Sequence, residues 1–133
     1  MAIEFARRLL GIGSAELQSP RRVRKDTTIN PEVGEMFTAA LEVEAGGDEA
    51  LAKSMWINAA TRARAFYGSY PEGELDTVDI SIRSQYAQLA LNGLANAHEI
   101  DEAMDLAGTL LEDPRISGSA KTRIQKMVEM NFS

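Results

Sequence analysis

The chain has 133 residues, of which 44% are hydrophobic and 26% are charged, so it can bury one core and has the composition of a globular protein. It contains no cysteine, which excludes a disulfide framework, thiolate catalysis and cysteine-ligated metal sites. No apolar run approaches the roughly 18–20 residues of a membrane span, and the amphipathic N-terminus lacks the apolar core of a secretory signal. We therefore expect a soluble protein of the cytoplasm, or of a particle assembled there.

The net charge of −6 is unevenly distributed along the chain. Residues 1–25 contain six basic and two acidic side chains, a net charge of +4, whereas residues 26–133 contain eight basic and eighteen acidic ones, a net charge of −10. A basic segment joined to an acidic body can attract that body, or each can meet a different partner.

The first part of the chain predicts a short helix followed by an arm. Residues 2–10 place apolar side chains on one helical stripe. Residues 14–30 show no sustained period and contain a proline and a basic run, which is typical of a linker or arm. We therefore divide the chain into residues 1–30, a short helix plus a basic arm, and residues 31–133, a helical body.

Five further segments of helical periodicity predict the body. Asn30 provides an N-cap before a proline at the first helical position, Asp48 or Gly47 opens the next helix, and Asp76 caps the helix after that. The stripes expected to face the core are Val33, Met36, Phe37, Ala40 and Leu41; Ala52, Trp56, Ala59, Ala63 and Phe66; Val78, Ile82, Tyr86, Leu89 and Gly93; Ile100, Ala103, Met104, Ala107 and Leu111; and Ala120, Ile124, Met127 and Val128.

No segment shows the alternating β-branched pattern of a strand, so the sequence predicts an all-α fold. Residues 86–114 resemble a tetratricopeptide helix pair in their small residues and closing proline. However, Glu102 stands where that pattern needs alanine, and no second copy recurs at its period of about 34 residues. We expect a single domain of five to six helices, an antiparallel helical bundle with an extended basic N-terminal arm.

The polar clusters of the sequence favour structural roles over chemistry. His98 and Glu102, four residues apart, can share a helix face and approach one metal ion. A metal site needs at least one more ligand and His98 is the only histidine, so a solvated helix start is the preferred interpretation. Asp76 and Asp79 form a carboxylate pair in capping positions, and no phosphate loop or nucleophile elbow is present. We expect no enzyme: no catalytic residue, no metal and no cofactor.

The basic run of the arm is the strongest binding candidate. Four charges in five residues can bind phosphates, but no aromatic side chain is interleaved to stack on bases, and the body is acidic. Docking on an acidic protein surface is preferred, and an idle solvated arm stays open as an alternative. The residues of this run are Arg21, Arg22, Arg24 and Lys25.

Four aromatic residues cluster around one predicted helix end. Trp56 and Phe66 continue the apolar stripe of their helix and are expected in the core. Tyr67 and Tyr70 flank a loop that contains glycine and proline, and they either pack on the body or form an exposed contact patch for a partner.

Together these features predict a non-enzymatic structural or assembly subunit that docks between the larger protein subunits of a macromolecular particle, as a homo- or hetero-oligomer. A phage virion component, such as a neck, tail or core protein, is the kind of particle we expect. The alternative is a small regulatory adaptor that binds nucleic acid, or a DNA-binding partner, through the basic arm. No contact with a membrane is expected.

Overall fold

The computed structural model describes residues 29–131, and these residues form five α-helices and no strand. The predicted all-α fold is confirmed. The predicted short helix at residues 2–10 and the basic run of the arm lie outside the described residues. The helices are α1 (Pro31–Ala45), α2 (Glu49–Tyr67), α3 (Thr77–Asn96), α4 (Ile100–Glu112) and α5 (Gly118–Asn131).

Side-chain caps begin the first three helices where the sequence predicts them. Asn30 Oδ1 accepts a hydrogen bond of 2.8 Å from the N–H of Glu32 at the start of α1. Asp48 and Asp76 accept from amides three residues ahead of them, at 3.1 Å and 2.8 Å, at the starts of α2 and α3. Each cap satisfies an amide that the first turn of a helix leaves without a partner.

Successive helices are antiparallel neighbours. α1 packs on α2, α2 on α3, α3 on both α4 and α5, and α4 on α5. Glu32 at the start of α1 lies 3.0 Å from Arg62 near the end of α2, and Arg83 near the start of α3 lies 2.8 Å from Asp113, just after α4. The starts of α2 and α4 therefore lie at one end of the bundle with the ends of α1 and α3. The opposite end, where α1 begins, is called the arm end below.

The core is one continuous cluster to which all five helices contribute. Trp56 and Phe37 are fully buried, and their rings lie 5.8 Å apart at 59°, a tilted geometry that aromatic pairs favour. Trp56 Nε1 donates a 2.9 Å hydrogen bond to Glu44 Oε1, so the buried indole leaves no polar atom unpaired. Phe66 is half-buried and stacks on Tyr86 at 4.9 Å. The prediction that Trp56 lies in the core is confirmed.

Helices α2 and α3 approach each other closely at Gly93. A Cβ atom at this position would lie 2.9 Å from Ala60 Cβ and 3.0 Å from the backbone carbonyl oxygen of Trp56. These distances are shorter than ordinary van der Waals contact, so the crossing of the two helices requires glycine at this position.

Gly93→Ala is expected to lower the free energy of unfolding by about 1–3 kcal/mol, although alanine is the better helix former by roughly 1 kcal/mol. Gly108→Ala is the matched control, because Gly108 is exposed within α4 and its added Cβ would have no neighbour within 4 Å. The free energy of unfolding of this control variant is expected to rise by up to about 1 kcal/mol. Denaturant unfolding of both variants measures the difference, and a shift of the same sign in both would contradict the close crossing.

Helix α3 ends in a Schellman motif that has a histidine in its left-handed position. His98 has a φ of 61°, the only positive φ of a non-glycine residue within 29–131. The N–H of Glu99 donates to the Leu94 carbonyl at 2.9 Å, and the N–H of His98 donates to the Ala95 carbonyl at 3.0 Å. The sequence correctly predicts a solvated His98, but the residue terminates α3 and does not begin the next helix.

His98→Gly is expected to raise the free energy of unfolding by about 0.5–1 kcal/mol, because the left-handed conformation is strained for any residue with a Cβ atom. His98→Ala removes the imidazole and keeps the strain, so this control is expected to stay close to the parent protein. Thermal unfolding compares the three chains. Equal stabilisation by both substitutions would assign the effect to the imidazole and not to the backbone.

Helix α3 lies at the centre of the packing and buries a polar face that the sequence analysis missed. Ser84, Gln88 and Asn92 follow one another at four-residue spacing and are all buried. Ser84 Oγ accepts a 2.9 Å hydrogen bond from the N–H of Ser117, whereas Gln88 Oε1 and both polar atoms of the Asn92 side chain have no partner.

Neither this helix nor any other helix of the described chain has the length and apolar content needed to cross a membrane.

Candidate protein-binding surface

Four large apolar side chains are exposed among the described residues, and two of them, Ile100 and Met104, lie one turn apart on α4. Leu51 in the first turn of α2 is 49% exposed, and Met130 in the last turn of α5 is 62% exposed. Ile100 and Met104, in the first two turns of α4, are 39% and 43% exposed. Ile100 and Met104 lie one turn apart on the same side of α4, near the start of α2, and we call these two residues the apolar end.

Acidic side chains surround the apolar end. Lys53 Nζ lies 3.4 Å from Glu99 Oε2, which shows that the starts of α2 and α4 are neighbours and that this cation is already paired. Carboxylates in the first turn are also favoured by the positive end of the helix dipole. The result is an exposed apolar centre with a negative border, called the acidic rim below. The exposed carboxylates of the acidic rim are Asp48, Glu49, Asp101, Glu102 and Asp105.

The exposure of Ile100 and Met104 corrects the predicted orientation of α4. The sequence places both residues on the core-facing stripe, and the structure shows that this is wrong. Apolar residues occupy two adjoining stripes of this helix, so the helical period cannot decide which stripe is buried. The stripe that packs on α3 and α5 is Ala103, Leu106, Ala107 and Leu110, and the second stripe is left facing solvent.

The basic arm joins the body at the arm end. Ile29 is buried in the core, and the N–H of Asn30 donates a 2.6 Å hydrogen bond to Tyr86 Oη. These contacts anchor the chain just before α1 begins. The predicted binding residues of the arm lie outside the described residues, and their role stays a prediction. These residues are Arg21, Arg22, Arg24 and Lys25.

Tyr67 and Tyr70, the other predicted contact residues, are half-buried and pack against the core. The Tyr67 hydroxyl donates a 2.6 Å hydrogen bond to Asp113 Oδ2, and the Arg83 guanidinium carbon lies 4.2 Å above the centre of the Tyr67 ring. Tyr67 therefore has a role within its own chain. Whether either tyrosine also contacts a partner stays a prediction.

A buried ionic network crosses the arm end. Arg83 Nη2 lies 2.8 Å from Asp113 Oδ2, and both side chains are almost fully buried. The N–H of Arg115 donates to Asp113 Oδ1 at 2.7 Å, and Arg83 Nη1 donates to the Arg115 carbonyl at 3.1 Å. With the Tyr67 hydroxyl, these bonds tie the end of α2, the start of α3 and the turn after α4 to one carboxylate.

These contacts move the pKa values of two groups away from neutrality. Burial opposes ionisation of Asp113, but hydrogen bonds from Arg83, Tyr67 and the Arg115 amide, with the charge of Arg83, outweigh it and lower the pKa of Asp113 to about 2. Burial, followed by the hydrogen bond to Asp113 and the charge of Asp113, raises the pKa of Tyr67 to about 12. A general acid or base needs a pKa near the operating pH, so this network has the properties of a structural clamp.

An open groove of about 710 Å³ lies beside the clamp. The Arg115 guanidinium, the only basic group among the described residues that line the groove, donates to the backbone carbonyls of Pro71 and Gly73 and so holds the loop between α2 and α3. The two groups with shifted pKa values do not line the groove. The lining residues are Glu72, Gly73, Glu74, Leu75, Ile80, Pro114 and Arg115.

Within residues 29–131, no three histidine or carboxylate side chains are grouped so that they could hold a metal ion. His98 and Glu102, the pair considered from the sequence, are both exposed, on either side of the start of α4. Comparison of the chain with protein-family models, curated proteins and solved structures gave no match.

Proposed function

We propose that this protein is a non-enzymatic assembly subunit that binds another protein through its apolar end. The observation that carries the proposal is the pair of large apolar side chains, Ile100 and Met104, exposed one turn apart on α4. Single exposed apolar residues are common on any surface, but their grouping marks interaction sites. Their burial against a partner would contribute roughly 25 cal/mol for each Å² of apolar surface removed from water.

The acidic rim specifies the chemistry of the partner. Apolar contacts at the centre of an interface supply most of the affinity, whereas charges at its border steer the encounter and exclude partners of like charge. Asp101 and Asp105 lie one turn apart on the exposed side of α4, next to Met104. The complementary surface is an apolar stripe bordered by lysine or arginine, as on a basic amphipathic segment.

Site-specific cross-linking in the native cell tests the proposal. A photoreactive amino acid at Met104 or Ile100 is expected to cross-link to one and the same protein, identified by mass spectrometry. The control position is Thr61, which is exposed in the middle of α2. The same products from all three positions, or no product from Met104 and Ile100, would contradict binding through the apolar end. The identity of the cross-linked protein also tests the narrower expectation of a phage virion component.

Nucleic-acid binding through the basic arm is the competing function. A labelled DNA duplex titrated with the full chain is expected to show no change in fluorescence anisotropy, because the acidic body opposes the approach of phosphates. Salt-sensitive binding that is lost when the four basic arm residues are replaced by serine would favour the regulatory alternative over the assembly proposal.

A further inference from the structure

We infer that the basic run of the arm, residues 21–25, binds in the groove beside the clamp of its own chain. While it is bound there, the run is kept from phosphates and from the acidic surfaces of other proteins. The contact is independent of the apolar end, so it goes beyond the proposed function. It is supported by the chemistry of the groove and by the place where the arm is anchored.

The groove combines apolar side chains with unpaired carboxylates. Glu72 and Glu74 line it and are exposed, and neither forms an ion pair with any of the residues 29–131. The segment 72–79 contains four carboxylates and no basic side chain. A segment that presents an apolar side chain between cations would therefore fit the groove. The apolar lining residues are Leu75, Ile80 and Pro114.

The basic run has this complementary pattern. It contains one apolar residue, Val23, between basic residues on both sides. Alternate side chains of an extended segment point to the same face, and they are about 7 Å apart along the chain. An extended run would therefore present Val23 to the apolar lining of the groove, with Arg21 and Lys25 on the same face to pair with the two glutamates.

The arm is anchored close to the groove. Ile29 is buried, and the N–H of Asn30 donates to Tyr86 Oη. Ile80, which lines the groove, stands six residues before Tyr86 on α3, a rise of about 9 Å. Val23 stands six residues before Ile29. A flexible linker of that length has a root-mean-square length of roughly 12–15 Å and spans about 20–22 Å when fully extended. The groove therefore lies within reach of the run.

The short tether favours this groove over the other acidic surfaces that the run could meet. The acidic rim of the same chain lies beyond the far end of α1, which has 15 residues and is about 22 Å long, so the arm reaches it only by stretching its linker. The effective concentration of a tethered group is highest where the root-mean-square length of the linker matches the span, and it is in the millimolar range for a short linker. A second copy competes only at comparable protein concentrations.

Paramagnetic broadening of amide signals in the full chain tests the inference. The chain contains no cysteine, so Ser19→Cys introduces a single site for a nitroxide label, two residues before the basic run. The groove variant adds Glu72→Lys and Glu74→Lys. The matched control adds Asp101→Lys and Glu102→Lys, which make the same change in net charge at the acidic rim. All four glutamates and aspartates are exposed, and the amide spectrum of each variant establishes that it is folded.

In the parent and in the control, the amide signals of Gly73, Leu75, Ile80 and Arg115 are expected to lose most of their intensity, whereas those of residues 100–105 keep theirs. In the groove variant, the groove signals are expected to recover most of that loss, because like charges then meet in the contact. Added salt should also restore the signals of the parent, since it screens exposed charges.

A mixed sample distinguishes the own chain from a second copy. An isotope-labelled chain without nitroxide is mixed with a nitroxide-labelled chain without isotope, so that only contacts between molecules broaden the signals. No broadening is expected in this mixture at protein concentrations well below the millimolar range.

Four results would overturn the inference. Equal broadening of the groove signals in the parent and the groove variant would assign the effect to the tether alone. Broadening confined to residues 100–105 would place the run on the acidic rim, and broadening in the mixture would place it on a second copy. No broadening at the groove would leave the run unbound. Cross-linking from Met104 does not depend on the arm, so the proposed function stands or fails separately.

Discussion

Trp56→Ala is expected to lower the free energy of unfolding by about 3–5 kcal/mol. The indole is fully buried between α1 and α2, where it packs against Phe37 and donates to Glu44. Its loss leaves a cavity and removes the partner of a half-buried carboxylate. The neighbouring buried side chains of α2 are too short to fill the cavity left by the indole, because all of them are alanines. They are Ala52, Ala59, Ala60 and Ala63.

Trp56→Phe is the matched control, since phenylalanine keeps most of the aromatic packing and loses the hydrogen bond to Glu44. We expect Trp56→Phe to lower the free energy of unfolding by less than half as much as Trp56→Ala does. Because Trp56 is the only tryptophan of the chain, denaturant unfolding should be followed by far-ultraviolet circular dichroism. A loss below about 1 kcal/mol in the alanine variant would contradict the full burial of the indole.

The helix boundaries could be predicted because they depend on neighbouring residues. Asn30, Asp48 and Asp76 each cap an amide within three residues of themselves. The end of α1 is equally local, since Gly46 caps the helix and Gly47 follows with a φ of 95°. Such signals act within one turn of the chain, and no knowledge of the tertiary packing is needed to recognise them.

The clamp and the apolar end could not be predicted in the same way. Tyr67, Arg83 and Asp113 come from three different parts of the chain, and nothing local marks Arg83 as a buried residue. In α4, the sequence contains two apolar stripes, and only the packing on α3 and α5 decides that Met104 is left exposed. Ala103 and Ala107 belong to both the predicted and the observed stripe, so these small residues could not decide between them.

Asp113→Asn is expected to lower the free energy of unfolding by about 3–5 kcal/mol, because it removes one partner of a buried ion pair and leaves the Arg83 guanidinium uncompensated. Asparagine has nearly the same size but only one acceptor oxygen, so either the Arg115 amide or the Tyr67 and Arg83 donors also lose their acceptor, and the effect combines the lost charge with a lost hydrogen bond. Arg83 Nε already lacks a partner, which leaves the guanidinium little alternative bonding. Glu32→Gln is the control, since it breaks the exposed Arg62–Glu32 pair and is expected to cost less than about 1 kcal/mol.

The loss caused by Asp113→Asn is expected to depend on pH in one direction. The pKa of Asp113 is lowered from its ordinary value of 3.8 to about 2 in the folded chain. The stabilisation by the ionised carboxylate is therefore fully present above a pH of about 4 and is lost as the pH falls toward 2. A pKa shift of this size corresponds to roughly 2–3 kcal/mol. The difference in the free energy of unfolding between the parent and the Asp113→Asn variant should therefore narrow by about that amount as the pH falls from about 4 toward 2. Urea unfolding at a series of acid pH values measures the gap. A gap that stays constant would mean that Asp113 does not owe its contribution to its charge.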